Sequence, residues 1–154
     1  MLPGQFFDDI DDGSVHWTPG VTVTEAHILN YAGITGDFSP VHVDETFAQS
    51  TDFGGRIAHG LLGLSLTDGL KVQSSLFRVG VALSWSWTFK LPIRAGDTLR
   101  ARLEIIGKRI SKSRPNMGIF AIGVELLNQR DEIVQKGEHH LMVPRRPERL
   151  LEEN

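Results

Sequence analysis

The hydrophobic and polar positions of the chain change period near its middle, from a helical repeat to strict alternation. After residue 79, apolar side chains occupy every second position, which predicts a long β-strand with one buried face; they are Val81, Leu83, Trp85, Trp87, Phe89 and Leu91. Three further strands are predicted in TLRARLEIIGKRI, GIFAIGVELLN and EIVQKGEHHLMV. Because short turn signals separate them, they predict an antiparallel meander, with SVHWTPGVTV as an additional edge strand.

The first half of the chain has helical patterns. TEAHILNYAGITG predicts a helix that Thr24 caps and that ends near Thr35, because Gly33 and Gly36 weaken its continuation. Asp44 caps a short helix through ETFAQS. The segment IAHGLLGLSLTDGLKVQSS is apolar around most of its circumference, which places it inside the protein. The pattern therefore predicts an α+β fold, with a curved antiparallel sheet wrapped around one long central helix.

The length of 154 residues is that of one domain, with an expected core at about 14–143 and a C-terminal tail at 144–154. The longest apolar stretch, Leu61 to Leu66, is too short to span a bilayer. The acidic N-terminus lacks the features of a secretory signal, and there are no cysteines to form disulfides. These features favour a cytoplasmic enzyme or binding protein.

The formal net charge of −3 argues against nucleic acid as the main partner, but the charge is unevenly distributed. Residues 1–77 have a balance of −8, and residues 78–154 have a balance of +5. The basic half is compatible with a solvated sheet face or with the binding site of a small polyanionic ligand.

The segment GDFSPVH places Asp37 and His42 on either side of Pro40. Since Pro40 lacks an amide hydrogen and favours an extended Ser39, we expect a fixed loop that is neither helix nor strand. Two such groups within reach of one water can hold it, remove one proton and return another, as addition of water to an activated double bond requires. The structural alternative is that Asp37 caps the turn and His42 packs beside the next helix.

The longer segment YAGITGDFSPVHVDETFA resembles the signature of the MaoC-like, or R-specific enoyl-CoA hydratase, family. GGRIAHGLLGLSL and FKLPIRAGDTL resemble the central helix and the following strand of that family, so the likeness extends over most of residues 20–143. The sequence departs from the signature at Ser39, where asparagine is usual, although serine can still hydrogen-bond within the loop. The resemblance implies the hot-dog fold, which agrees with the helix and meander predicted from the pattern.

The resemblance also implies that Asp37 and His42 are a catalytic pair that adds water to a trans-2-enoyl-CoA, or removes it from a 3-hydroxyacyl-CoA. Gly60 begins the central helix, where free backbone amides can stabilise negative charge on the thioester carbonyl. Ser39 and His59 are expected beside the substrate, with His59 shaping the loop. Coenzyme A enters as part of the acyl-CoA substrate, and no separate cofactor is expected.

Two further groups are predicted at the substrate. The segment KRISKSR is either a binding site for the phosphates of coenzyme A or a solvated edge that resists aggregation; its basic residues are Lys108, Arg109, Lys112 and Arg114. Asp68 follows Gly60 by eight residues, or about 12 Å along a helix. It is predicted either at the far end of a short acyl chain or in a structural role with a donor from the protein.

Three rival functions remain open at this stage. A hot-dog thioesterase would use a carboxylate near the central helix, for which Asp68 is the candidate. The others are an enzyme acting on acyl carrier protein and a non-catalytic acyl-CoA-binding protein. No metal site is predicted, because His139 and His140 point to opposite faces of a strand. We expect at least a homodimer, since one such sheet leaves an exposed edge, and Trp85 and Trp87 are predicted in the core or at the subunit interface.

Overall fold

The computed structural model describes residues 4–147. After a short 3₁₀ helix at Phe7–Asp9, its elements in chain order are β1 Val15–Trp17, β2 Val21–Thr22, α1 Glu25–Thr35, α2 Pro40–Val43, α3 Glu45–Gln49, α4 Gly60–Gln73, β3 Val81–Phe89, β4 Thr98–Ile110, β5 Met117–Leu127 and β6 Ile133–Pro144.

The strands form one antiparallel sheet in the order β1-β4-β5-β6-β3, and β2 pairs with the start of β4. The predicted meander is confirmed for β4, β5 and β6. It is wrong for β3, which pairs with β6 instead of β4. The RAGD turn does form, because the Asp97 amide donates to the Arg94 carbonyl. It leads the chain to Val23, which exchanges backbone hydrogen bonds with residues 96–97, and so does not fold β4 back along β3.

Helix α4 packs against one face of this sheet. Leu62 and Leu70 are buried in the same core cluster as Leu103 and Phe120. Val72 is 69% exposed, however, so the predicted burial of this helix is confirmed for the side that faces the sheet and wrong for the side of Val72.

The prediction that β3 has one buried face is also wrong within a single copy of the chain. Its apolar residues are exposed or half-buried because β3 is an edge strand of the sheet. Val81 is 51% exposed and Phe89 is 52% exposed, whereas Trp85 and Trp87 pack partly against the core.

The predicted helix caps are confirmed. The Thr24 side chain accepts a hydrogen bond from the His27 amide, and the Asp44 side chain accepts one from the Phe47 amide. Helix α1 ends at Thr35, after which Gly36 adopts a left-handed φ of 77° that a side chain would disfavour. This turn directs the chain toward Asp37.

The folded part begins earlier than residue 14, since Phe7 and Ile10 belong to the core. Arg146 of the predicted tail is bonded to Asp8 and Asp9. Residues 148–154 of that tail lie outside the described part. Among the helices of residues 4–147, none combines the length and apolarity needed to cross a membrane.

Candidate active site

Asp37 lies between helices α1 and α2. Its Oδ1 accepts hydrogen bonds from the Ser39 hydroxyl at 2.5 Å and from the Ser39 amide at 3.1 Å. These two bonds, the hydroxyl first, lower the pKa of Asp37. The side chain is 48% exposed, so Asp37 is an ionised carboxylate at neutral pH whose Oδ2 remains open to other donors.

His42 lies in the single turn of α2, which corrects the prediction of a segment that is neither helix nor strand. Pro40 is the first residue of that turn, where its missing amide hydrogen costs no helical bond. The Nδ1 of His42 is 2.8 Å from the Ile57 carbonyl. Since a carbonyl only accepts, neutral His42 carries its proton on Nδ1 and has a lone pair on Nε2.

The Nε2 of His42 and the Oδ2 of Asp37 are 4.0 Å apart. This separation is too long for a direct hydrogen bond, so both atoms keep their capacity to contact one water molecule between them. The His42 side chain is only 11% exposed, which fixes the direction of its lone pair.

His59 contacts both residues of this pair. Its Nε2 donates to the Asp37 carbonyl at 2.8 Å, and its ring stacks on that of His42 with 3.8 Å between ring centroids. The side chain is 4% exposed, and its Nδ1 is buried with no hydrogen-bond partner within residues 4–147. His59 therefore fixes the two residues relative to each other.

Gly60 is the first residue of α4 and follows His59 directly. The amides of Gly60 and Leu61 belong to the first turn, where no preceding turn supplies acceptors and the helix dipole is positive. A Cβ atom at Gly60 would lie only 3.0 Å from the Phe89 ring. Glycine here allows the Phe89 ring to approach the helix start.

Two cavities have His42 and Gly60 in their walls. The smaller, of about 170 Å³, also has Asp37 and His59 in its walls. The larger, of about 270 Å³, has mainly apolar walls; they include Phe53, Ile57, Phe89, Leu91, Pro92 and Ile93. The smaller cavity thus contains the candidate reacting groups, and the larger cavity adjoins them and offers room for more of a substrate.

The structure brings together Asp37, His42, His59 and Gly60. Ser39 lines neither cavity and acts on the site through its bonds to Asp37.

Asp68 also lines neither cavity. Its Oδ1 is 2.6 Å from the Nζ of Lys71, a lysine whose side chain is 7% exposed. The Asp68 side chain is 49% exposed, so it is not the buried carboxylate that the sequence suggested, and it finds its donor in the protein.

The basic segment is not brought to the site. It comprises the last residues of β4 and most of the turn to β5. The other end of β4 follows Ile93, whose carbonyl accepts a hydrogen bond from the amide of Ala58, a residue in the wall of the larger cavity. The strand between these ends spans about 40 Å at a rise of about 3.3 Å per residue. Lys108 instead donates hydrogen bonds to the Phe7 and Ile10 carbonyls, and these bonds anchor the N-terminal segment.

Two residues of the larger cavity were missed by sequence reasoning. Lys90 is an exposed cation there, and Gln135 is a buried amide. Local patterns gave no signal for either, because both reach the site through the pairing of β3 with β6.

Asp37, His42 and His59 are also the cluster in which a metal could be sought, since their ligand atoms all lie within 4.8 Å of one another. His59 would have to give up its hydrogen bond to the Asp37 carbonyl to ligate with Nε2. The described geometry therefore fits a proton-transfer site better than a metal centre.

Comparison with known proteins gives consistent matches over most of the described fold. Residues 10–122 match the family described as "MaoC like domain". The (R)-specific enoyl-CoA hydratase of Rhodospirillum rubrum is 30% identical over 141 residues, which cover 92% of this chain and 93% of the relative.

Solved structures agree with this match. The crystal structure of a MaoC-like dehydratase from Rhodospirillum rubrum superposes with a TM-score of 0.85 at 32% identity, covering 94% of this chain and 99% of the other. A Mycobacterium tuberculosis protein with a double hot-dog fold superposes with a TM-score of 0.81 at 24% identity, covering 94% of this chain and 46% of the other. The fold is therefore the predicted hot-dog fold.

Proposed function

Because this chain belongs to the MaoC-like domain family, we propose that it is a cytoplasmic enzyme that reversibly adds water to a trans-2-enoyl-CoA and produces a 3-hydroxyacyl-CoA. The observation that supports this most strongly is the 4.0 Å separation between the free Nε2 of His42 and Oδ2 of Asp37, beside the first turn of α4.

In the proposed reaction, Asp37 and His42 hold a water molecule against C3 of the enoyl group. One of them removes a proton from the water as the C3–O bond forms, and C2 receives a proton from the pair. One proton enters the pair and one leaves it, so the pair returns to its starting state. Since the two groups share one water, we assign both proton transfers to the pair as a unit and do not assign either one to a single residue.

The thioester carbonyl gains negative charge as the C3–O bond forms. The first-turn amides of Gly60 and Leu61 are proposed to donate to that oxygen, with the positive end of α4 adding electrostatic stabilisation. Preorganised donors of this kind need no rearrangement during the reaction, and the loss of one typically costs about a hundredfold in kcat or more.

The arrangement gives less support to the rival functions. Among the residues of 4–147 that line the two cavities, Asp37 is the only carboxylate, and Asp68 is paired with Lys71 elsewhere on α4. We therefore propose a structural role for Asp68, the stabilisation of a buried lysine, in place of a role in thioester hydrolysis or at the acyl chain.

The test is an assay of the purified protein with crotonyl-CoA, following enoyl absorbance and free thiol in parallel. We expect the enoyl absorbance to fall with no release of thiol. Release of thiol at a matching rate would identify a thioesterase. Binding without turnover, for both the CoA and the acyl carrier protein thioester, would identify a non-catalytic binding protein.

A further inference from the structure

Gln135 of β6 lies beneath the first turn of helix α4. Its side-chain Nε2 donates to the Gly60 carbonyl at 3.0 Å, and its Oε1 accepts from the Trp87 indole Nε1 at 2.8 Å. The residue is 2% exposed, so its amide is an interior group with a partner on each side. These bonds form a continuous series that connects β3, β6 and the start of α4.

The contact is close enough to determine the position of the helix. A Cβ atom at Gly63 would lie 2.5 Å from the Gln135 amide, so the helix approaches this amide at a position that has no side chain. The Phe89 ring limits the approach at Gly60 in the same way, at 3.0 Å from its would-be Cβ. The first turn therefore packs closely against two neighbours at positions that have no side chain.

We propose that Gln135 is a positioning residue that sets the direction of the Leu61 amide, which lies beside the Gly60 amide in the wall of the smaller cavity, an inference that rests on the proposed hydration function. The Gly60 carbonyl belongs to the same peptide unit as the Leu61 amide. A hydrogen bond received by that carbonyl fixes the plane of the peptide and polarises its N–H as a donor. The Trp87 indole in turn fixes which end of the Gln135 amide faces the helix.

The cost of burying a polar amide supports this positioning role for Gln135. A buried amide is costly without partners, and an apolar side chain of similar size would fill the same space between the helix and the sheet without that requirement. Gln135 also lines the larger cavity beside His42 and Gly60, so its bonds lie at the site and not in the remote core.

The experiment compares Gln135→Met, which keeps the volume but loses both hydrogen bonds, with Asn128→Leu as the matched control. Asn128 is equally buried at 2% exposure, makes its own bonds to Glu132 and lines neither cavity. With crotonyl-CoA we expect Gln135→Met to lower kcat by about tenfold to a hundredfold with KM changed by less than about threefold. Asn128→Leu should lower stability and leave kcat near wild type.

A second readout is the infrared carbonyl stretch of bound butyryl-CoA, which carries the thioester but no double bond. Wild type should shift this band to lower frequency on binding, and Gln135→Met should lose part of the shift. A merely structural role would change stability without changing the band.

The third variant is Gln135→Glu, whose carboxyl donates to the Gly60 carbonyl only when it is protonated. Its kcat relative to wild type should rise as the pH falls, whereas the Gln135→Met ratio should stay constant. If Gln135→Met does not fold, two other results test the inference. They are the pH dependence of kcat for Gln135→Glu relative to wild type, and the kcat of Trp87→Phe, which removes the donor to Oε1.

Wild-type kcat and an unchanged carbonyl band in the folded Gln135 variants would overturn the inference while leaving the proposed function intact. If wild type hydrates no enoyl-CoA, the proposed function itself fails.

Discussion

Asp37 and His42 have complementary hydrogen-bonding states at the level of single residues. Asp37 uses Oδ1 for Ser39, and His42 uses Nδ1 for the Ile57 carbonyl. Each thus keeps one free atom, and these two atoms are 4.0 Å apart. The local bonds determine which atoms are available, so changes that affect only those bonds should change the chemistry without unfolding the protein.

The first prediction concerns the pair itself. Asp37→Asn and His42→Ala should each lower kcat for hydration by about a hundredfold or more, because each removes a proton-transfer group. Asp52→Asn is the matched control, since Asp52 is also an exposed aspartate and lines neither cavity. Circular dichroism checks the fold. Near-normal turnover by a folded Asp37 or His42 variant would remove that residue from the catalytic pair.

The second prediction concerns Ser39 and the pH dependence of activity. The Ser39 hydroxyl and amide lower the pKa of Asp37, so the carboxylate stays ionised to lower pH than an ordinary aspartate. Ser39→Ala removes the larger of these effects and should move the acid limb of the kcat/KM profile to higher pH. An acid limb that does not move would show that Asp37 ionisation does not control this limb.

At the level of elements, the start of α4 combines a proposed catalytic role with a packing role. Gly60 and Gly63 lie on the turn that faces Phe89 and Gln135, whereas Gly69 in the same helix has no neighbour from the described part of the chain within 4 Å of its would-be Cβ. The three glycines therefore differ in what a methyl group would meet.

The third prediction uses that difference. Gly63→Ala should lower the free energy of unfolding by about 1–3 kcal/mol, because its Cβ would overlap the buried Gln135 amide. Gly69→Ala, the control, should raise it by about 0.5–1 kcal/mol, since alanine is the better helix former where space is open. Both are measured by urea denaturation. Equal stabilisation by the two substitutions would show that the helix start can move freely away from β6.

The elements were predictable to different degrees. Thr24, Asp44 and Gly36 are local signals, so the ends of α1 and the start of α3 follow from the sequence. The proposed catalytic pair and the proposed role of Gly60 follow from the resemblance carried by contiguous segments. Gln135 and Lys90 could not be predicted in this way, because strand alternation gives the face of a side chain but not the strand that pairs beside it. The pairing of β3 with β6 is a non-local choice that the turn signals suggested incorrectly.

At the level of the whole molecule, β3 is an edge strand with exposed apolar side chains. Val81 is 51% exposed, Leu83 is 46% exposed and Phe89 is 52% exposed. An edge of this kind favours pairing with another chain. We therefore keep the expectation of a homodimer as a proposal.

The fourth prediction follows from that edge. Sedimentation equilibrium should give twice the chain mass of 17.1 kDa. Leu83→Lys should raise the dimer dissociation constant by at least about tenfold, because it places a charge on the edge. Ile110→Lys is the control, since Ile110 is 49% exposed at the far end of β4. A monomer at micromolar concentration with full activity would contradict this proposal.

The fifth prediction concerns recognition of the coenzyme A phosphates. Lys90 lines the larger cavity, whereas Arg109 and Lys112 lie at the far end of β4 within the same chain. Lys90→Glu should raise KM severalfold for CoA thioesters and much less for pantetheine thioesters, which lack the nucleotide phosphates. The double charge reversal Arg109→Glu, Lys112→Glu should leave both KM values unchanged. The opposite result would return the phosphate site to the basic segment.

The central claim is that water adds to the enoyl carbon and not to the thioester carbonyl. The most direct measurement is mass spectrometry of the products formed from crotonyl-CoA in water labelled with ¹⁸O. The account predicts a hydroxyacyl-CoA that carries the label on its new hydroxyl, with the thioester intact, and its near absence with Asp37→Asn. Label in a free carboxylic acid together with free coenzyme A would contradict the account.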